Sequence, residues 1–191
     1  MMTMEKARKL VEEAAKACGL MQSWEEAAQF VQLISSRSIR NILELGTNSG
    51  GMMYIMDKAC EAGLRISMDR PWDQRDPDVS SRQAGFYRYM PHVIEILGDI
   101  HAEEQIGKLN SILEGRMLDL IFVDADHSEE GSRKHFKMYA PFVDLGGLVA
   151  MHDVRNGWDC GKTFEALCKY YNHQVIEDIP ERHYGIGVLF L

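Results

Sequence analysis

Paired thiols, long apolar runs and a surplus of positive charge are all missing from this 191-residue chain. The four cysteines, Cys18, Cys60, Cys160 and Cys168, show no C-x-x-C spacing. Zinc clusters and redox dithiols need thiols close in sequence, so neither is expected, and scattered thiols fit a reducing cytoplasm. The opening stretch MMTMEKARKLVEEAAKACGL carries charges throughout, which argues against an export signal or a membrane span. A cytoplasmic location and no membrane partner are therefore expected. Lys and Arg number 21 against 29 Asp and Glu, for a formal charge of −8. Nucleic-acid backbones are held by clustered cations, so no nucleic-acid partner is expected either. The remainder, 46% hydrophobic and 26% charged residues, is globular composition in a length that suits one domain. No repeat, low-complexity tract or linker interrupts it. Residues 1–191 are expected to form one domain, with N-terminal helices over 1–38 and a core over 39–191.

Residues 4–18 place Leu10, Val11, Ala14, Ala15 and Cys18 at helical spacing, with Gly19 as the stop. Ser23, with Glu26 three residues on, has the form of a capping box that opens a second helix. This pair is expected to pack as a lid or an edge, and its apolar positions leave room for a homo-oligomer. From Asn41 the pattern turns to alternation. Strands are expected over 41–46, 64–69, 93–99, 118–126 and 146–153, and helices over 50–63, 102–115, 129–143 and 161–172. The polar stretch 70–92 shows only a short helix near 80–89. HQVIEDI and GIGVLFL close the chain as two strands with no helix between them. Continuous apolar strands separated by helices imply a mainly parallel sheet covered on both faces. The last two strands lack a crossover helix and should pair as a hairpin, which sets one strand antiparallel to the rest.

The first strand runs into ILELGTNSGG, with Glu44, Gly46, Gly50 and Gly51 at its join with a helix. Such a turn lets a ligand approach the backbone, and the helix N-terminus offers free N–H groups. The spacing is E-x-G-x-x-x-G, looser than the G-x-G-x-x-G of dinucleotide sites, and this disfavours an NAD-type dehydrogenase. The second strand ends at Asp69, placed to accept hydrogen bonds from two ribose hydroxyls, and the third at Asp99, placed to reach an adenine edge.

With the closing hairpin, these features resemble the class I S-adenosylmethionine-dependent methyltransferases over about residues 40–191. The resemblance implies a Rossmann-like, doubly wound α/β sheet of seven strands, mostly parallel, preceded by the two N-terminal helices. It further implies that Glu44, Gly46, Thr47, Asn48, Ser49 and Gly51 surround the methionine half of the cofactor, Asp69 its ribose and Asp99 its adenine. The segment DLIFVDADHSEEGSRKHFKMYAPFVDLGGLVAMHDV resembles the subgroup of cephalosporin-hydroxylase-like and macrolide-sugar O-methyltransferases, with D-x-D-H, a helix, G-G and then H-D. By that resemblance Asp124, His152 and Asp153 hold a divalent metal such as Mg²⁺, Asp124 borders cofactor and metal alike, and His127 is the general base.

The chemistry is coherent on its own terms. A sulfonium is already a strong methyl donor, so the protein has to orient an acceptor oxygen and remove its proton. A hard cation held by carboxylates lowers the pKa of a bound hydroxyl, and an imidazole takes the proton. His152 departs from the carboxylate usual in metal-dependent relatives. Either it is a third ligand, which suits Mn²⁺, Fe²⁺ or Zn²⁺ better, or it points away and leaves the two acids. Asp126 or Ser128 caps the next helix, and Glu129 and Glu130 favour its first turn. His101, His135 and His173 read as surface or packing residues. Met52, Met53 and Met56 read as adaptable core. Trp72, Phe86, Tyr87 and Tyr89 either cover adenine, form an acceptor pocket or pack on the surface, and Trp158 is a further candidate for substrate contact. The expected function is methyl transfer from S-adenosylmethionine to a hydroxyl of a small molecule, assisted by a divalent metal. The alternative is a methyltransferase-like nucleoside-binding or scaffold protein that transfers nothing.

Overall fold

A computed structural model describes residues 1–155, 157, 159–178 and 184–191. Trp158 lies outside the described residues. Two helices come first, α1 (Met4–Ala17) and α2 (Trp24–Ile34). The alternating part follows as β1 (Ile42–Leu45), α3 (Gly51–Ala59) and β2 (Arg65–Asp69). Two short helices, α4 (Pro77–Ser80) and α5 (Gln83–Tyr89), precede β3 (Ile94–Leu97). The chain continues through α6 (Glu103–Leu113), β4 (Leu118–Val123), α7 (Glu129–Tyr139), β5 (Val143–Met151) and α8 (Cys160–Leu167). It ends with β6 (Asn172–Ile176) and β7 (Ile186–Phe190).

The seven strands form one sheet in the order β3-β2-β1-β4-β5-β7-β6. All pairs from β3 to β5 are parallel, and β7 runs antiparallel to both neighbours. The doubly wound α/β sheet with one reversed strand is therefore present as the sequence pattern implied.

Period-two alternation explains the layers. Ile42, Leu120, Phe122, Leu148, Ala150 and Val188 project to one face, where they bury with Val11, Phe30, Val31 and Ile55 of α1, α2 and α3. Leu43, Leu45, Ile121, Val123, Val149 and Met151 project to the other, against Leu109, Tyr139 and Phe164 of α6, α7 and α8. Each fully buried side chain of this kind contributes about 1.5–3 kcal/mol. The N-terminal pair is thus a packed layer on a sheet face rather than an edge.

Four local expectations change. Ser23 makes no side-chain cap to α2; its hydroxyl donates to Asp178 Oδ2 at 3.0 Å. Glu26 is buried, and its Oε1 accepts from the backbone N–H groups of Asp178 at 3.4 Å and Gly185 at 3.2 Å. Two strand-end amides that need an acceptor outcompete the capping box. The helix expected over 129–143 stops at Tyr139, because Pro141 turns the chain through a short 3₁₀ segment, and β5 starts earlier, at Val143. Trp72 and Phe86 are buried together, ring centroids 5.4 Å apart, with Met53 and Met90 in a small core of their own. Among the described residues, none of the four aromatics of this stretch lines the cavity at the sheet edge.

Candidate functional site

The carboxyl ends of β1, β2, β4 and β5 open into one cavity of about 1290 Å³. On one side, the β1–α3 turn bends through Gly46 at φ +82° and Gly50 at φ +95°, with Asn48 also left-handed at φ +52°. That twist turns the Asn48 amide N–H toward β2, where Asp69 Oδ2 accepts it at 2.8 Å. Glu44 is buried in the sheet and lines the cavity; its Oε2 has no partner among the described residues. Burial drives the Glu44 carboxyl well above the usual range, and a hydrogen bond from Thr47 only partly opposes this. Thr47 in turn meets the Ser67 hydroxyl at 2.7 Å, and Ser49 Oγ donates to Gly19 O at 3.3 Å. Gly51 is a packing position as well as a lining one, since a Cβ there would stand 2.0 Å from Gly19 O. Asp99, after β3, lines the far end and accepts from the His101 amide at 2.9 Å.

The other side is built from the ends of β4 and β5, which are neighbours with Val123 opposite Met151. The ladder carries past both strands, because His152 N donates to Val123 O at 2.9 Å and Asp124 N to Leu45 O at 2.8 Å. Asp153 then takes a left-handed conformation, φ +59°, that brings its carboxylate back to the pair. His127 Nε2 lies 3.1 Å from Asp124 Oδ1 and 3.0 Å from Asp153 Oδ2. His152 turns toward the acids, not away: its Nδ1 is 3.3 Å from Asp124 Oδ1 and 3.3 Å from Asp153 Oδ1. The loop carrying His127 is tied down by Cys160 N donating to His127 O at 2.9 Å, and Ser128 caps α7 through Gly131 N at 3.0 Å. Asp126 supports the cap by accepting from Ser128 N at 2.9 Å.

Charge concentrates strongly here. Hydrogen bonds donated to Asp124 and then to Asp153 lift His127 to about 9 against the opposing effect of burial. Burial works against a charged His152, yet the two acids outweigh it and raise that imidazole to about 10. Burial likewise pushes Asp124 and Asp153 up, and the two imidazoles pull both carboxyls below their ordinary range. The two carboxylates thus hold two protonated imidazoles on the floor of the cavity, positive charge that a bound cation would take over.

A divalent cation fits this donor set. Asp124, His152 and Asp153 each offer one ligand atom, all within 4.8 Å of one another. Neighbouring ligands of an octahedral cation bound at roughly 2.1 Å stand about 3 Å apart, close to the spacings here. His152 Nε2 is buried with no hydrogen-bond partner among the described residues, and Asp153 Oδ1 is met only by His152 Nδ1 at 3.3 Å. One nitrogen with two carboxylates suits Mn²⁺, Fe²⁺ or Zn²⁺ at least as well as Mg²⁺.

All twelve residues expected in the sequence as cofactor contacts, metal ligands or base border this one cavity. Among the other lining residues, sequence reasoning missed Gln22, Arg75, His101 and Tyr184. Gln22, from the segment between α1 and α2, donates Nε2 to Asp124 Oδ2 at 2.5 Å. Arg75 donates to Arg70 O at 2.9 Å and Asn48 O at 2.6 Å, tying the 70–92 stretch to the glycine turn. His101, expected on the surface or in packing, faces the cavity and meets the buried His135 at 2.8 Å, Nε2 to Nε2. The Tyr184 ring stacks on His152, centroids 6.0 Å apart and planes within 10°. Only the last has a local signal, an aromatic directly before the closing strand; the rest depend on contacts across the fold.

Solved structures share this architecture. The O-methyltransferase TomG from Streptomyces achromogenes, crystallised with SAM, is 17% identical, with a TM-score of 0.69 over 100% of this chain and 99% of that one. An O-methyltransferase from Bacillus cereus in complex with SAH is 16% identical, TM-score 0.64, over 98% and 90%. A putative caffeoyl-CoA O-methyltransferase from Staphylococcus aureus is 19% identical, TM-score 0.66, over 99% and 93%. At these identities the likeness is one of fold, which is that of the class I methyltransferases. The family model described as a methyltransferase domain matches residues 43–154, more than half of the sequence, and the chain belongs to that family.

Proposed function

We propose that this protein is an S-adenosylmethionine-dependent O-methyltransferase that acts on a hydroxyl group of a small molecule with the help of a divalent cation. The observation that carries this reading is the meeting, in one cavity, of the glycine turn and its acids with the Asp124–His127–His152–Asp153 cluster. On one side Asp69 and Asp99 offer acceptors for ribose and base, and Glu44 stands beside the turn to meet the ammonium of the methionine half. On the other, Asp124, Asp153 and His152 hold the cation. When bound, the sulfonium supplies an activated methyl group and the cation polarises the acceptor hydroxyl.

His127 is the base. Its Nε2 stands between Asp124 and Asp153, within reach of a hydroxyl seated there. A cation that offset the charge of the two acids would lower this imidazole from about 9 and free it to accept a proton. Gln22 and Tyr184 line the same cavity, of about 1290 Å³, beside these groups. That room supports transfer over the alternative of a binder that transfers nothing.

The test is a calorimetric titration of chelator-treated protein with S-adenosylmethionine, then with Mn²⁺ or Mg²⁺, in wild type, Asp69→Ala and Asp153→Ala. Micromolar cofactor binding lost in Asp69→Ala, together with a cation isotherm lost in Asp153→Ala, is the expected result. No cofactor heat in wild type under any condition would overturn the proposal.

A further inference from the structure

We propose that Gln22 is a positioning residue for Asp124, so that the N-terminal helical pair is part of the cation site. This rests on the cation reading above. Gln22 precedes residue 43, where the family match begins, and is only 9% exposed. Its Nε2 reaches Asp124 Oδ2 at 2.5 Å, across 102 positions of sequence. The other oxygen, Oδ1, is the one that faces His127 at 3.1 Å and His152 at 3.3 Å. The terminal torsion of an aspartate is broad and roughly two-fold, so an unanchored carboxylate turns readily. One hydrogen bond on Oδ2 fixes which oxygen is presented to the cation.

The residue type suits this task. An amide N–H anchors the carboxylate without neutralising it, whereas a lysine would compete with the cation for the same charge. The segment that carries Gln22 is itself held firmly. Ser23 Oγ donates to Asp178 Oδ2 at 3.0 Å, and Glu26 Oε1 accepts from Asp178 N and from Gly185 N at 3.2 Å in the latter case. Gly185 adjoins Tyr184, whose ring covers His152. The clamp therefore joins the start of α2 to both the β4 acid and the β5 histidine.

Outer-sphere partners of this kind typically alter metal affinity by roughly 10–100-fold. The experiment titrates full-length, chelator-treated protein with MnCl₂, reading free Mn²⁺ by electron paramagnetic resonance, in wild type, Gln22→Ala and Gln22→Met. Methionine keeps the length and packing of the side chain and removes only the donor. The expected result is a Mn²⁺ Kd raised about tenfold or more in both variants, with the S-adenosylmethionine Kd within about twofold of wild type. Wild-type Mn²⁺ affinity in Gln22→Met overturns the positioning role and leaves the proposed function standing. Loss of cofactor and Mn²⁺ affinity together in Gln22→Met overturns it as well, because the residue then serves the fold in general. Absence of Mn²⁺ binding by wild type overturns both the role and the cation reading, and is recognised before any variant is made.

Discussion

A Cβ on Gly46 would stand 2.0 Å from the carbonyl oxygen of Asp124. The glycine turn after β1 and the acid after β4 are therefore in backbone contact, and the two halves of the cavity cannot move independently. Gly46 also holds φ +82°. Gly46→Ala combines a left-handed residue with a clash against backbone, and a destabilisation of about 2–5 kcal/mol is expected. Thermal unfolding measures it. Cofactor and cation affinities should fall together in this variant, unlike in Asp153→Ala, where only the cation is lost.

Glu26 is a buried carboxyl whose Oε1 accepts from two backbone amides. Burial pushes its pKa up, against the hydrogen bond from Asp178 N. Glu26→Gln keeps an acceptor of the same reach and should leave the melting temperature within a degree or two. Glu26→Ala leaves the amides of Asp178 and Gly185 without their acceptor and should cost about 1–3 kcal/mol, several degrees in Tm.

His127 separates chemistry from binding. Because its imidazole meets Asp124 and Asp153 at 3.1 and 3.0 Å, His127→Gln retains a polar side chain there but cannot serve as the base. The expected outcome is kcat lowered by about 10²–10⁴ with a cofactor Kd close to wild type. Release of S-adenosylhomocysteine with a hydroxylated acceptor measures the first, and calorimetry the second. A variant with wild-type kcat would remove His127 from the mechanism.

His135 is expected to confer acid sensitivity away from the Asp124–His152–Asp153 cluster. It is fully buried, and burial, helped by neighbouring His101, lowers its pKa to about 4. The unfolded chain takes up that proton near about pH 6.5. Between these values the unfolded state binds more protons, so stability falls as the pH drops from 6.5 to 4 and levels off below. The contribution at its limit is about 3 kcal/mol. His135→Phe, which cannot titrate, should show a flatter decline of Tm over that window; an unchanged slope would dispose of the assignment.

Much of this was legible in the chain itself. The apolar runs of β1 and β4 and the helices between strands determined a parallel sheet covered on both faces, because burial acts through periodicity along the chain. The missing crossover before GIGVLFL determined the reversed strand. The glycine turn, Asp69, Asp99 and the D-x-D-H and H-D pairs stood out because each follows directly on a strand, and strand ends of a parallel sheet share one edge. Those features come from local backbone geometry, and a sequence states them directly.

What the tertiary structure alone decided is where side chains go when two surfaces compete for them. Ser23 and Glu26 formed a plausible capping box, but once the sheet is assembled Ser23 donates to the Asp178 carboxylate and Glu26 accepts from the amides of Asp178 and Gly185. His152 was free in sequence to face either way, and the paired negative charge of Asp124 and Asp153 turned it inward. Gln22, His101 and Arg75 carry no pattern that marks them, and Tyr184 only its place before the closing strand, since their positions at the cavity are set by the assembled fold. Hydrogen bonds and ion pairs act over a few ångströms of space whatever the sequence separation, so only the folded chain could place them.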